Sequence, residues 1–396
     1  MQAADTARAH LGRRIEEELM RGDSLSVVAL VNHIVGHAHE ARASDIHLHP
    51  TPLGVRVRLR IDGVLQDSFV VPAQVHPEVI SRIKVLSGLR TDEHQAAQDG
   101  RICHVLENGE EVDIRVSILP TYHGETAVLR LLSSRKAEDF TLDSFGLSEG
   151  DKEKVLAAVR RPGGMVLSTG PTGSGKTTTL YTLLQMLNAP GTSIITIEDP
   201  IEYAIDGVKQ IQVNAKTGLT FATGLRSILR QDPNIIMVGE IRDAETAAIA
   251  VNTALTGHLL LSTLHTNDAA TTLPRLLDMG IDAYLVASTI SLALGQRLVR
   301  RICPSCREKI TVEGETFYRG RGCPLCRQSG YKGRLCINEV LVADDDIRDA
   351  IVRRAPAAEI RKLALKNGMT SMMDDGLAKA RRGETTREEV LRAVHA

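Results

Sequence analysis

Gly170-Pro171-Thr172-Gly173-Ser174-Gly175-Lys176-Thr177 fills every fixed position of the phosphate-loop pattern GxxxxGK[ST]. The apolar run Met165-Val166-Leu167-Ser168 leads into it as a buried strand does, and a helix is expected from Thr177 to about Leu187. Glycines let the backbone curl so that consecutive N–H groups face the α- and β-phosphates. Lys176 is placed to reach the β- and γ-phosphates and Thr177 to ligate Mg²⁺, while the positive end of the following helix faces the same anion. Residues Gly170 to Thr178 therefore form the expected cofactor site, with ATP and Mg²⁺ as cofactors. The loop predicts triphosphate binding and leaves the use of the energy open.

Around this loop lies a chain of 396 residues, too long for one ordinary core and suited to two or three domains. Lys plus Arg number 48 against 49 acidic residues, so no global field recruits nucleic acid or an anionic membrane. The first residues, Met1-Gln2-Ala3-Ala4-Asp5, lack a basic stretch leading into an apolar one. The longest apolar region, Ala283 to Leu294, is interrupted by Ser288, Thr289 and Ser291. Neither a signal peptide nor a spanning helix is expected, which places the chain in the reducing cytosol and argues against disulfides.

Before the loop, Ser26 to Ala41 carries apolar residues at helical spacing, and Gly54 to Ile61 alternates strictly before the turn Asp62-Gly63. Arg56, Arg58 and Arg60 give that strand a basic face, for which solvation is a sufficient account. A second strand pair is expected at Val112 to Ser117 and Thr126 to Leu132. From Leu142 to about Val299, strands and helices alternate, the pattern of a mostly parallel sheet covered by helices. The expected division is an N-terminal helical segment (1–42), an α+β domain (43–134), a polar linker (135–145), an α/β ATPase domain (146–300), a cysteine module (301–340) and a C-terminal helical region (341–396).

Hydrolysis needs a carboxylate beside the γ-phosphate to orient or deprotonate water. Two strand ends offer one: Ile235-Ile236-Met237-Val238 runs into Gly239-Glu240, and Ile194 to Ile197 runs into Glu198-Asp199. His258 and His265 flank a further apolar strand. Each alone reads as a structural histidine, and position at a strand end favours His265 as a γ-phosphate sensor. The cysteines read C-x₂-C-x₁₆-C-x₂-C through Cys303, Cys306, Cys323 and Cys326. This spacing suits a closed four-thiolate Zn²⁺ site, structural and not catalytic. Cys103 and Cys336 read as buried small apolar residues.

Four ordered blocks, Ser168 to Leu180, Ile197 to Tyr203, Leu229 to Asp243 and Thr256 to Asn267, resemble the Walker A, Asp box, Walker B and His box of the bacterial secretion ATPase superfamily. Within it the chain is most similar to the type II secretion and type IV pilus assembly ATPases (the GspE/PulE/PilB group), from about Ala43 onward. The resemblance implies a RecA-like ATPase domain behind a PAS-like α+β domain, with Glu240 as main catalytic carboxylate and Glu198 assisting. It also implies that His258 and His265 belong to the γ-phosphate network and that Arg115 and Arg130 are arginine fingers from the preceding domain. It further implies a homo-hexamer in the cytoplasm, peripheral to the inner membrane, assembling a pilus or pseudopilus through an inner-membrane platform protein.

Assembly ATPases of this group commonly carry the four-cysteine insertion and retraction ATPases lack it, so assembly is the expectation. Only about forty residues precede Ala43, so the docking domain that usually opens such chains is expected to be missing or reduced to a helix. Ala97, Asn234 and Cys336 depart from the usual pattern without touching a phosphate contact. A DNA-uptake or conjugation motor is the competing reading. Balanced charge and the lack of a basic tail count against direct nucleic-acid binding.

Overall fold

The computed structural model describes residues 12–132 and 141–395, so most of the expected linker (135–140) and the first eleven residues of the N-terminal segment lie outside the described residues. The chain divides into two compact units, Met1–Arg135 and Lys136–Ala396.

The first unit holds α1 (residues 12–19), α2 (Val27–Glu40), β1 (Ala43–Thr51), β2 (Gly54–Ile61), β3 (Val64–Val71), α3 (His76–Leu86), β4 (Gln98–Val105), β5 (Glu111–Thr121) and β6 (Gly124–Leu132). Its sheet runs β3-β2-β1-β6-β5-β4, with every neighbouring pair antiparallel. The alternation in β2 explains its seating: Val55, Val57 and Leu59 are buried while Arg56 is exposed. The apolar face packs on Leu30, Val31, Ile34 and Val35 of α2 and on Val79, Ile80 and Ile83 of α3. Each such side chain contributes about 1.5–3 kcal/mol when fully buried. Ser26 Oγ caps α2 by accepting from the Ala29 N–H at 3.3 Å.

The second unit continues through α4 (Glu149–Val159), β7 (Gly164–Thr169), α5 (Lys176–Leu187), β8 (Ile194–Glu198), β9 (Lys209–Gln212), α6 (Phe221–Ile228), β10 (Ile235–Val238), α7 (Ala244–Leu255), β11 (Leu259–Leu264), α8 (Ala269–Asp278) and α9 (Ala283–Thr289). It ends with β12 (Ile290–Ile302), β13 (Arg307–Val312), β14 (Glu315–Gly320), β15 (Tyr331–Val342), α10 (Asp345–Val352), α11 (Ala357–Lys366), α12 (Met372–Arg381) and α13 (Arg387–His395). Its seven-stranded sheet runs β15-β12-β7-β11-β10-β8-β9. All pairs are parallel except β15, which lies antiparallel to β12. Strands β7, β8, β10 and β11 are buried along their whole length, as helices on both faces require of continuous apolar runs. The region Ala283 to Leu294 splits into the whole of α9 and the start of β12. Residues 331–340, expected in the cysteine module, belong to β15 and so to the edge of the ATPase sheet.

Candidate active site

The phosphate loop joins the last residue of β7, Thr169, to the first of α5, Lys176. Gly170 has φ +145° and a Cβ there would lie 2.3 Å from the Gln296 carbonyl oxygen, so no side chain can take its place without moving β12. Lys176 is 7% exposed and folds back on the loop, its Nζ donating to the carbonyls of Gly170 at 2.8 Å and Pro171 at 2.9 Å. Burial pulls its pKa below the ordinary lysine value, against the opposing charge of Glu240. Ser174 Oγ is buried inside the loop without a hydrogen-bond partner, which is costly until an acceptor arrives. Thr177 is exposed on the first turn of α5 and Thr178 half-buried. An orphan hydroxyl, a lysine spending its donors on loop carbonyls and a free helix N-terminus together fit a magnesium-bound triphosphate.

Parallel registers bring other predicted residues to the same edge. Thr169 pairs with Leu264, so His265 follows β11 beside the loop; β10, between β11 and β8, delivers Glu240, and β8 delivers Glu198. The turn carrying Glu240 is stapled on both sides: Gly239 N donates to Ile197 O at 2.8 Å, Ile241 N to Thr263 O at 3.0 Å and Thr263 Oγ1 to Gly239 O at 2.7 Å. Glu240 accepts from Arg242 Nη2 at 2.5 Å and faces His265 Nε2 at 3.2 Å. Burial pushes its pKa up, but the Arg242 guanidinium and His265 outweigh that and hold the carboxyl below its ordinary value. Arg242 also lies 3.7 Å from Asp199.

Glu198 is buried and accepts from Tyr181 Oη, Thr196 Oγ1 and Gln210 Nε2; burial pushes its carboxyl up despite these donors. His258 is not brought to this edge. It precedes β11, its carbonyl accepts from Gly164 N at the start of β7, and its Nδ1 lies 3.2 Å from Thr256 Oγ1 and Thr253 O. The six residues of β11 separate it from His265 by roughly 20 Å at about 3.3 Å each. In the first unit, Arg130 donates through Nε to Asp45 Oδ1 at 2.9 Å. Register places Arg60, Asp45, Arg130, Arg115 and Arg101 in one row across the sheet.

The family description "Type II/IV secretion system protein" matches residues 21–392. The chain belongs to that family. A type II secretion system protein E of Xanthomonas campestris pv. campestris is 49% identical over 384 residues, covering 93% of this chain and 67% of that protein. A type IV pilus assembly ATPase, PilB of Myxococcus xanthus, is 44% identical over 393 residues, covering 95% of this chain and 69% of PilB. Among solved structures, the pilus retraction motor PilT with bound ADP superposes with a TM-score of 0.62 at 26% identity, over 91% of this chain and 96% of that one. The chain is thus an ATP-hydrolysing enzyme of the secretion and pilus ATPase family.

This secretion ATPase also gathers the four sulfurs of Cys303, Cys306, Cys323 and Cys326 within 4.8 Å of one another. The Cys303–Cys323 and Cys306–Cys326 sulfurs lie 3.8 Å apart and Cys323–Cys326 3.6 Å. A tetrahedron with Zn–S bonds of about 2.3 Å has edges of roughly 3.8 Å, so the cage suits zinc. The chain is folded tightly to make it: a Cβ on Gly320 would lie 2.0 Å from the Gly330 carbonyl oxygen. Burial raises the Cys306 thiol to about 12; for Cys326 burial is outweighed by the Cys323 and Gly330 N–H groups, which bring it down to about 7.

Two features are not marked by any sequence pattern. Arg242 lies within the Walker B block, but only its fold-back onto Glu240 shows its part. Gln296 lies in an apolar run where a polar residue at a core position was the available signal.

Proposed function

We propose that this secretion ATPase works as a homo-hexamer, peripheral to the inner membrane, and powers assembly of a pilus or pseudopilus through an inner-membrane platform protein. The observation that carries the hydrolytic part is Glu240, fixed by three backbone-anchored hydrogen bonds on the sheet edge where the phosphate loop ends. The similarity to a secretion protein E and to PilB, and a cage suited to zinc, support assembly.

In this reading Lys176 exchanges its loop carbonyls for the β- and γ-phosphates, and Ser174 gains its missing partner. Bound Mg²⁺ offsets phosphate charge, with Thr177 as its protein ligand. Glu240 orients and deprotonates the attacking water; its ionised state suits a proton acceptor, while the Arg242 pair must loosen for it to act. Glu198 assists from the neighbouring strand. His265 is the γ-phosphate sensor, and His258, at the far end of β11, drops out of that network. Arg115 and Arg130 supply charge that neutralises the transferring phosphoryl group. Zinc in the four-cysteine cage is structural, since four thiolates leave no open position.

Glu240→Gln is expected to lower kcat by about 10²–10⁴ while Mg-ATP still binds. Turnover close to that of the unaltered protein would remove Glu240 from its role.

A further inference from the structure

Two amides sit side by side in the core of the ATPase sheet where apolar residues would ordinarily be. Gln296 is 0% and Asn338 2% exposed, and they are cross-strand partners on β12 and β15. Burying such groups is unfavourable unless every donor and acceptor is used. Here they are used in a fixed sequence. Asn338 Nδ2 donates to Phe145 O at 3.0 Å, which turns its Oδ1 toward Gln296 Nε2 at 3.2 Å. That leaves Gln296 Oε1 as the acceptor for Ser168 Oγ at 3.0 Å and as the nearer of two acceptors for Thr179 Oγ1, at 2.9 Å against 3.2 Å for Gly175 O. The amide orientations follow from the donors and acceptors around them. Asn338 is itself held, its N–H donating to Asp375 Oδ2 at 2.8 Å, and Lys379 Nζ bonds both that carboxylate and Cys336 O.

Ser168 and Thr179 bracket the phosphate loop: one lies near the end of β7, the other on the first turn of α5. We propose that Gln296 is a positioning residue for nucleotide binding, its amide oxygen tying these two walls at a fixed separation, with Asn338 holding the amide in the orientation that makes this possible. A glycine-rich loop must be ordered when phosphate binds, and walls already fixed reduce that cost. A Leu or Met at 296 would fill the space but leave the walls untied. The line of bonds from α12 through Asp375, Asn338 and Gln296 to the loop makes phosphate affinity sensitive to how β15 is seated.

The proposal rests on nucleotide binding at the loop, and calorimetric titration with Mg-ADP tests both together. Thr179→Val, of the same shape as threonine, and Gln296→Met should each weaken Mg-ADP about three- to tenfold, the range for one buried hydrogen bond. KM for ATP should rise in step while kcat stays within about twofold. Thr179→Ser, which keeps the hydroxyl, should bind close to the unaltered protein. Asn338→Leu added to Gln296→Met should weaken binding no further, as one shared device requires. Should Gln296→Met fail to fold, the Thr179 pair carries the test. Mg-ADP binding by Thr179→Val within about twofold of the unaltered protein overturns the clamp alone. So does a loss that falls on kcat and is not restored in Thr179→Ser. No Mg-ADP binding by the unaltered protein overturns the nucleotide reading and the clamp with it.

Discussion

Glu240 keeps its charge because Arg242 and His265 outweigh burial, and removing the stronger partner reverses the balance. In Arg242→Ala, burial dominates and the Glu240 carboxyl rises. A base whose pKa is raised loses its ionised form at a higher pH, so the acid limb of the kcat/KM profile is expected to move upward in pH; an unmoved limb would separate Glu240 from the titration. Glu389 shows the same physics in a structural role. Burial would raise it, yet Arg300 and Arg392 bring it from the ordinary 4.5 down to about 2. A depressed carboxylate stabilises above its unfolded pKa, and the contribution is lost as pH falls from about 4.5 toward 2. Glu389→Gln should therefore cost about 2–3 kcal/mol at pH 7, with the gap to the unaltered protein closing on acidification in thermal melts. Lys176 and Glu240 were legible in the sequence because their chemistry needs fixed neighbours in the chain. Arg242 was not, because its carboxylate partner is chosen by side-chain direction and not by spacing.

At the scale of elements, β10 was legible to the residue and β7, β8 and α5 to within a residue or so, since continuous apolar runs and loop chemistry mark their limits. The edge strand β15 and the helix α12 were not read, and β1 and β4 in the first unit were also missed. β15 begins five residues after Cys326 and carries Asn338 and Glu339 in its buried stretch, so its pattern is that of neither an exposed nor an apolar strand. Its position follows from pairing with β12, a tertiary fact. The cysteine hairpin β13–β14 sits between these two long strands, so metal and sheet are joined: Ile302 ends β12 and Tyr331 begins β15. Metal analysis should find one zinc per chain. Cys323→Ser should lose it and lower the unfolding midpoint by several degrees, given about 2–4 °C per kcal/mol at this size. Four freely titrating thiols in the protein as purified would rule zinc out.

For the whole molecule, the proposed hexamer makes a prediction of its own. Turnover per chain should rise with protein concentration as rings form, and sedimentation with Mg-ADP should show the same transition. Turnover independent of concentration in a protein that sediments as a monomer would remove the ring from the proposal. Among the described residues no helix is long and apolar enough to cross a membrane.

The sequence by itself determined the phosphate loop, the two carboxylates at strand ends and the four-cysteine pattern, because each is written in short local runs, the last as two CxxC pairs with sixteen residues between them. Only the tertiary structure decided which of the two histidines shares the loop's edge. The parallel register of β7 and β11 sends His265 to the edge where the phosphate loop begins and leaves His258 about a strand length away. The pairing of β7 with β12 sets Ser168, and α5 beyond it Thr179, against Gln296, a junction between residues more than a hundred positions apart that no local pattern records.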